Sequence, residues 1–229
     1  MFLKLLRLVC RAILRIIAQI DASEIDRIPT SGACLAVSNH LGRLDAMLAI
    51  VLSDRDDIIM MIAEKYQAYW FWRWLAANLN ALWLDRHNAD FHTLREVQKR
   101  LKAGGIAAVA PEGTRSATGQ LQPGKPGAAY LAAKTGAPIL PMAITGTWDK
   151  EVYGRLKRFQ RLDITIRVGE QFTVPSLPRH NKDEFLQQVT DEMMCRIAAL
   201  LPPEYHGVYA EHPRLQELLA TQLEKEIGD

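Results

Sequence analysis

The sequence predicts an α/β fold: a largely parallel mixed sheet flanked by helices on both faces, preceded by an N-terminal amphipathic helix at a membrane surface. Three observations carry this expectation. Short apolar runs of strand length alternate with helical stretches, as in strand–helix–strand units. The chain has 229 residues, 48% of them hydrophobic and 24% charged, enough for one α/β domain with a full core. The first twenty residues carry Lys4, Arg7, Arg11 and Arg15 and no acid. With a net charge of +2 overall, those four cations leave the remainder at −2, which does not suit a nucleic-acid binder. The expected division is 1–20 as a membrane-association helix, 21–203 as the α/β domain and 204–229 as a helical C-terminal extension.

The elements follow in order. On a helix turning about 100° per residue, the four N-terminal cations fall within an arc of about 80°, and apolar residues cover most of the rest. So regular a charge spacing argues against a bilayer span. It fits a helix lying in the interface with its basic stripe toward anionic headgroups, bound in a salt-dependent way. Docking on the chain's own domain is the alternative. A cleaved signal is disfavoured, because Arg11 and Arg15 interrupt the apolar core it would need.

After a linker over Asp21–Gly32, Ala33–Val37 reads as a strand and Leu44–Leu52 as a helix. Asp57–Ala63 and Ala81–Leu84 read as strands. Phe91–Ala103 is a helix ended by Gly104-Gly105, and Ile106–Ala110 is a buried strand. Gly127–Lys134 is a short helix stopped near Gly136. Ile139–Ile144 and Leu162–Val168 are strands. Lys182–Leu201 is a helix stopped by Pro202-Pro203, with Met193 and Met194 in the core. Tyr66, Tyr69, Trp70, Phe71, Trp72 and Trp74 form an aromatic cluster suited equally to a headgroup region or to core packing. Cys10, Cys34 and Cys195 are far apart and in no CxxC pair. They read as buried free thiols in a reducing compartment.

In parallel sheets, ligands gather beyond the carboxyl ends of the strands. Polar groups stand at three such ends. In SNHLGRLD, His40 leaves a strand and Asp45 stands near a helix start. A neutral histidine can accept a proton from a hydroxyl, and a carboxylate on its other nitrogen fixes the tautomer. On a regular helix the two would lie about 140° apart, so a turn relaxed by Gly42 is needed. A capping acid beside a loop histidine is the alternative reading. In APEGTRS, a tight turn offers free N–H groups, and Arg115 offers a cationic fork suited to phosphate. Glu112 can orient that arginine or accept from a ligand hydroxyl. In PGKPGAA, Lys125 precedes a glycine-led helix start, a natural anion position. WLDRHN adds Arg86. Each stretch alone is also ordinary loop chemistry. Together Arg86, Arg115 and Lys125 offer three cations for a dianionic phosphate. No GxSxG elbow, HExxH or GxGxxG is present, and no cysteine–histidine metal spacing.

The four blocks, in this order, resemble the glycerophospholipid acyltransferase family. Asn39-His40 to Asp45 is similar to its NHxxxxD motif, and Trp83-Leu84-Asp85-Arg86 to its aromatic-aliphatic-Asp-Arg segment. Pro111 to Ser116 resembles its Pro-Glu-Gly-Thr-Arg-Ser run, and Ile139-Leu140-Pro141-Met142-Ala143 its proline-centred strand. Ala110 stands where phenylalanine is usual, and Gly42 where many members have serine. The resemblance implies His40 as the base on an acceptor hydroxyl and Asp45 as its orienting group. Arg86 and Arg115 would hold an acceptor phosphate, with Glu112, Gly113 and Thr114 shaping that site and Lys125 beside them.

It further implies an O-acyltransferase making phosphatidic acid from 1-acylglycerol-3-phosphate, a lysophospholipid acceptor. The donor would be acyl-CoA or acyl-carrier protein, with no metal and no other cofactor. The enzyme would sit peripherally on the cytoplasmic face of the membrane, with no nucleic-acid partner. An acyltransferase acting on another lysolipid or lipid alcohol, and a non-catalytic lipid-binding scaffold, are the rivals.

Overall fold

The structure, a computed structural model, describes residues 1–85 and 90–228, with side chains as far as 224. Helix α1 (Phe2–Ile17) leads into strand β1 (Ala18–Ser23). Then come β2 (Cys34–Ser38), α2 (Leu44–Val51), β3 (Ile58–Ile59), β4 (Met61–Ala63), α3 (Trp70–Leu79) and β5 (Leu82–Leu84). They are followed by α4 (Phe91–Lys102), β6 (Ile106–Val109), α5 (Gly127–Thr135), β7 (Ile139–Thr145) and α6 (Asp149–Lys157). Strand β8 (Leu162–Val168), α7 (Lys182–Ala198) and α8 (Pro213–Gly228) complete the chain.

Six strands form one sheet in the order β1-β8-β7-β2-β6-β3. Every neighbouring pair is parallel except β7 and β8. Strands β4 and β5 make a second, parallel pair. The sheet is therefore mixed and largely parallel, as the strand–helix alternation predicts.

The two-residue period of the strands divides the core. Leu35, Val37, Ala107 and Ile139 pack with α4, α5, α7 and α8 on one face. Cys34, Ala36, Ile106, Leu140, Met142 and Ile144 pack with α1 and α2 on the other. Met193 and Met194 are fully buried in the first cluster.

Several elements depart from the sequence expectation, among them the strand expected over Asp57–Ala63, which divides into β3 and β4 in different sheets. The linker begins later, because Ala18–Ser23 pairs in parallel with β8 as an edge strand. That strand buries only Ala18, so it shows no clean alternation. The aromatic run holds α3, although bulky aromatics are weak helix formers. Helix α6 buries no residue and so carries no apolar stripe to read. Helix α7 also ends at Ala198 rather than Leu201, and the extension beyond it opens with two short 3-10 turns before α8.

Helix α1 is docked on the domain in an unexpected orientation. Arg7 is only 4% exposed. Its guanidinium donates to the carbonyls of Ile50 and Arg55 and pairs with Asp56. Arg11 donates to the Val51 carbonyl and to Asp54. Ile50 and Val51 end α2, whose last carbonyls lack helical partners and attract cations. Half of the basic stripe thus faces the protein, not headgroups. The apolar flank turns outward, with Leu8 65% and Ile16 75% exposed. Phe2 meets Trp74 of α3 edge-on at 5.2 Å, and beside them Tyr69, Trp70 and Phe71 are exposed as well.

Candidate active site

His40 follows β2 directly, and Asp45 lies in the first turn of α2. The turn between them brings His40 Nδ1 to 2.8 Å from Asp45 Oδ2. The same oxygen accepts the backbone N–H groups of Leu41 and Gly42, at 2.8 and 3.0 Å. Asp45 therefore orders the turn and holds the imidazole at once, so the two sequence readings of it are compatible. A carboxylate only accepts, so Nδ1 carries the proton and Nε2 keeps its lone pair. Gly42 serves by close approach: a Cβ there would be driven into the Thr147 carbonyl oxygen.

Asn39 anchors the histidine from behind. Its side chain donates to the Ile144 carbonyl at 2.7 Å and accepts the Ile144 N–H at 2.8 Å. This amide extends the β2–β7 ladder one step past the last backbone pair, Ser38 with Met142. Asn39 was legible as a polar residue at a strand end, but its bridging role was not.

Glu112 is 2% exposed. Its Oε1 accepts the His40 N–H at 2.8 Å, and its Oε2 accepts the Gln122 N–H at 3.0 Å. Burial pushes its carboxyl up to about 6, against the downward pull of those two N–H groups. Both oxygens are engaged with backbone, and among the described residues no ion pair joins Glu112 to Arg115. The Ser116 N–H returns to the His40 carbonyl at 2.7 Å, so the second loop clasps the first. Arg115 pairs with Asp149, whose other oxygen accepts the Arg43 N–H at 2.9 Å. Asp149 starts α6 and lies in no motif, so no local pattern marks it.

A cavity of about 550 Å³ is lined by Gly113, Thr114, Lys125, Lys65, Glu64 and Asp85. Lys65 follows β4 at the same carboxyl end of the parallel strands, a position that could have flagged it. Arg86 lies outside the described residues. A second cavity, of about 230 Å³, contains His40 and Asp45 and shares Leu84 and Gly113 with the first. A small apolar cavity lies behind it, between α2 and the sheet, sharing Asp45, Ala49, Ile58 and Ala108 as walls. Asp45 Oδ1 is buried there with no hydrogen-bond partner among the described residues.

The cysteines stand apart from this chemistry. All three are buried free thiols. Burial pushes Cys34 up to about 11 and Cys195 up to about 12. Cys195 does lie 3.3 Å from His212 Nδ1, but that nitrogen also accepts the Arg214 N–H, which caps α8. The pair is a buried thiol beside a capping imidazole, not an activated nucleophile. No group of residues that could hold a metal occurs among the described residues.

The model of the family described as Acyltransferase matches residues 19–145, more than half of the chain. The 1-acyl-sn-glycerol-3-phosphate acyltransferase BAT2, chloroplastic, of Brassica napus is 30% identical over 128 residues, covering 56% of this chain and 37% of that protein. A 1-acyl-sn-glycerol-3-phosphate acyltransferase of Limnanthes alba is 25% identical over 182 residues, covering 76% and 62%. The one from Haemophilus influenzae is 27% identical over 130 residues, covering 56% and 52%. The chain thus spans between about a third and two thirds of the length of these relatives. The crystal structure of the 1-acyl-sn-glycerophosphate (LPA) acyltransferase PlsC from Thermotoga maritima shares the fold. It has a TM-score of 0.64 at 23% identity, over 82% of this chain and 76% of that one. The chain belongs to the acyltransferase family.

Proposed function

We propose that the protein transfers a fatty acyl chain from a thioester donor to the free hydroxyl of 1-acylglycerol-3-phosphate, giving phosphatidic acid. One observation carries the reading: the His40–Asp45 pair lies in a cavity that adjoins a polar cavity bearing lysines on one side and a small apolar one on the other. The names of the relatives support the same acceptor. His40 Nε2 takes the hydroxyl proton as the oxygen attacks the thioester carbonyl. The tetrahedral intermediate collapses, the C–S bond breaks, and the imidazolium returns its proton to the departing thiolate. Asp45 steadies the transient cation. Lys125, Lys65 and Thr114 favour the acceptor phosphate, and Arg86 is assigned to it by motif alone. Arg115 joins them only by exchanging Asp149 for phosphate. The donor is acyl-CoA or acyl-carrier protein, and no other cofactor enters.

The outward apolar flank of α1 and the exposed aromatics of α3 support a peripheral membrane position. No helix among the described residues is long and apolar enough to cross a membrane. The cytoplasmic face is where acyl-CoA and acyl-carrier protein are available. A second reading has one observation in its favour. Glu64 and Asp85 line the polar cavity beside the lysines, which suits a lysolipid whose headgroup carries an ammonium next to its phosphate.

The test is thiol release from palmitoyl-CoA and palmitoyl-carrier protein, with lysophosphatidic acid or lysophosphatidylethanolamine as acceptor. Release that depends on lysophosphatidic acid, with phosphatidic acid as product, is expected. Release that depends only on the amine-bearing acceptor favours the second reading, and release without any acceptor contradicts both.

A further inference from the structure

Lys125 ends a loop whose internal bonds gather at its outer bend, where the Gln122 side chain donates to Thr118 and to the Gln120 carbonyl. Ser116 accepts the Gly119 N–H and donates to the Gln120 carbonyl, which closes the outer bend. Beyond that bend the loop is held by its own first turn and by the segment after α7. The Gln122 N–H goes to Glu112, and the Lys125 N–H goes to the Pro111 carbonyl at 2.8 Å. These bonds tie one side of the loop to the turn that backs His40.

The other side is held by the segment after α7. The 3-10 turns Pro203–Tyr205 and Gly207–Tyr209 run along it. The Leu121 N–H reaches the Tyr205 carbonyl at 2.9 Å, and the Gln120 side chain donates to the Glu204 carbonyl. Gly207 has φ +53 and passes so close to the Leu121 carbonyl that a Cβ would collide with it. The Gly124 N–H donates to the Tyr209 hydroxyl at 2.9 Å. Tyr209 is itself buried in the main core cluster, so that hydroxyl is a fixed acceptor. It is one residue from the cation that lines the polar cavity. All of these holding residues lie beyond the segment 19–145 that matches the family.

We propose that residues 203–209 are a positioning strap for the acceptor loop, and that the Tyr209 hydroxyl fixes the place of Lys125. The proposal rests on the polar cavity being the acceptor-phosphate site. Tyr209 touches no reacting atom. It acts through the Gly124 amide, so its loss weakens acceptor binding and leaves the chemical step intact.

The test is a double-mutant cycle on full-length protein, read by binding of glycerol 3-phosphate and by steady-state kinetics. Tyr209→Phe keeps the packed ring and removes the acceptor. It should weaken glycerol 3-phosphate binding and raise KM for lysophosphatidic acid by about fivefold, the scale of one neutral hydrogen bond. The kcat should stay within about twofold, because nothing at His40 changes. In a Lys125→Ala background the same substitution should have no further effect, because the residue being positioned is gone. An unchanged affinity in Tyr209→Phe overturns the strap, as does an equal loss in both backgrounds. A parent that turns over lysophosphatidic acid while Tyr209→Phe matches it in every readout overturns the strap alone. A parent that neither turns over nor binds glycerol 3-phosphate overturns the site reading together with it.

Discussion

Among the described residues, Asp45 accepts three hydrogen bonds on one oxygen and none on the other. That asymmetry keeps its charge on the side of His40 while the bare oxygen faces the apolar cavity. Glu112 performs a different service with a similar group. It joins the backbone of His40 to that of Gln122 from a site that disfavours its charge. Its folded value of about 6 lies above the ordinary 4.5. The native state therefore holds an extra proton between those values. This contribution to stability is complete below about 4.5 and is lost as pH rises through about 6. Glu112→Gln cannot titrate. The stability of the parent relative to that variant should therefore fall by about 2 kcal/mol between about pH 4 and pH 7.5, measured by urea unfolding. A difference that stays flat or rises with pH would refute the assignment.

At the scale of elements, α1 and α2 decide how the protein meets lipid. Because Arg7 and Arg11 cap α2, the helix offers its apolar flank outward. Membrane binding should then depend on apolar insertion more than on salt. Vesicle sedimentation at low and high ionic strength should differ little for the parent. The Leu8→Asp, Ile16→Asp double variant should lose most binding, each fully buried aliphatic side chain being worth about 1.5–3 kcal/mol. Binding that collapses in high salt would instead restore the headgroup role expected of the basic stripe. Deleting residues 1–20 is a poor probe, since it would strip the partners of Arg7 and cut into β1.

Helix α2 also walls the apolar cavity with Ala49. Ala49→Leu should turn the preference from palmitoyl toward octanoyl donors. The ratio of their kcat/KM values should shift by about tenfold or more, since each excluded CH₂ is worth about 0.8 kcal/mol. Leucine is nearly as good a helix former as alanine, so the helix persists. An unchanged ratio would move the acyl chain elsewhere.

For the whole molecule, the sequence made the strand–helix alternation and the strand ends plain, because buried parallel strands are continuous apolar runs. It brought out His40 at a carboxyl strand end, Asp45 at the helix start after the turn glycine Gly42, and Lys125 before a glycine-led helix start. The edge strand β1 and the exposed α6 stayed hidden because neither buries a patterned face. The orientation of α1 was illegible for a related reason: an arginine stripe reads as solvent-facing until the carbonyls that receive it are placed. Asp149 and Tyr209 act on the site from elements distant in sequence, and no local pattern marks them.

The proposed chemistry needs His40 as its base. Acceptor-dependent thiol release from palmitoyl-CoA, with lysophosphatidic acid, should fall by at least about 10²-fold in His40→Ala, the usual scale for losing a general base. The unfolding temperature should stay close to that of the parent, because the bonds holding the turn run through the His40 backbone and Asp45. Turnover in His40→Ala equal to that of the parent would show that His40 is not the base.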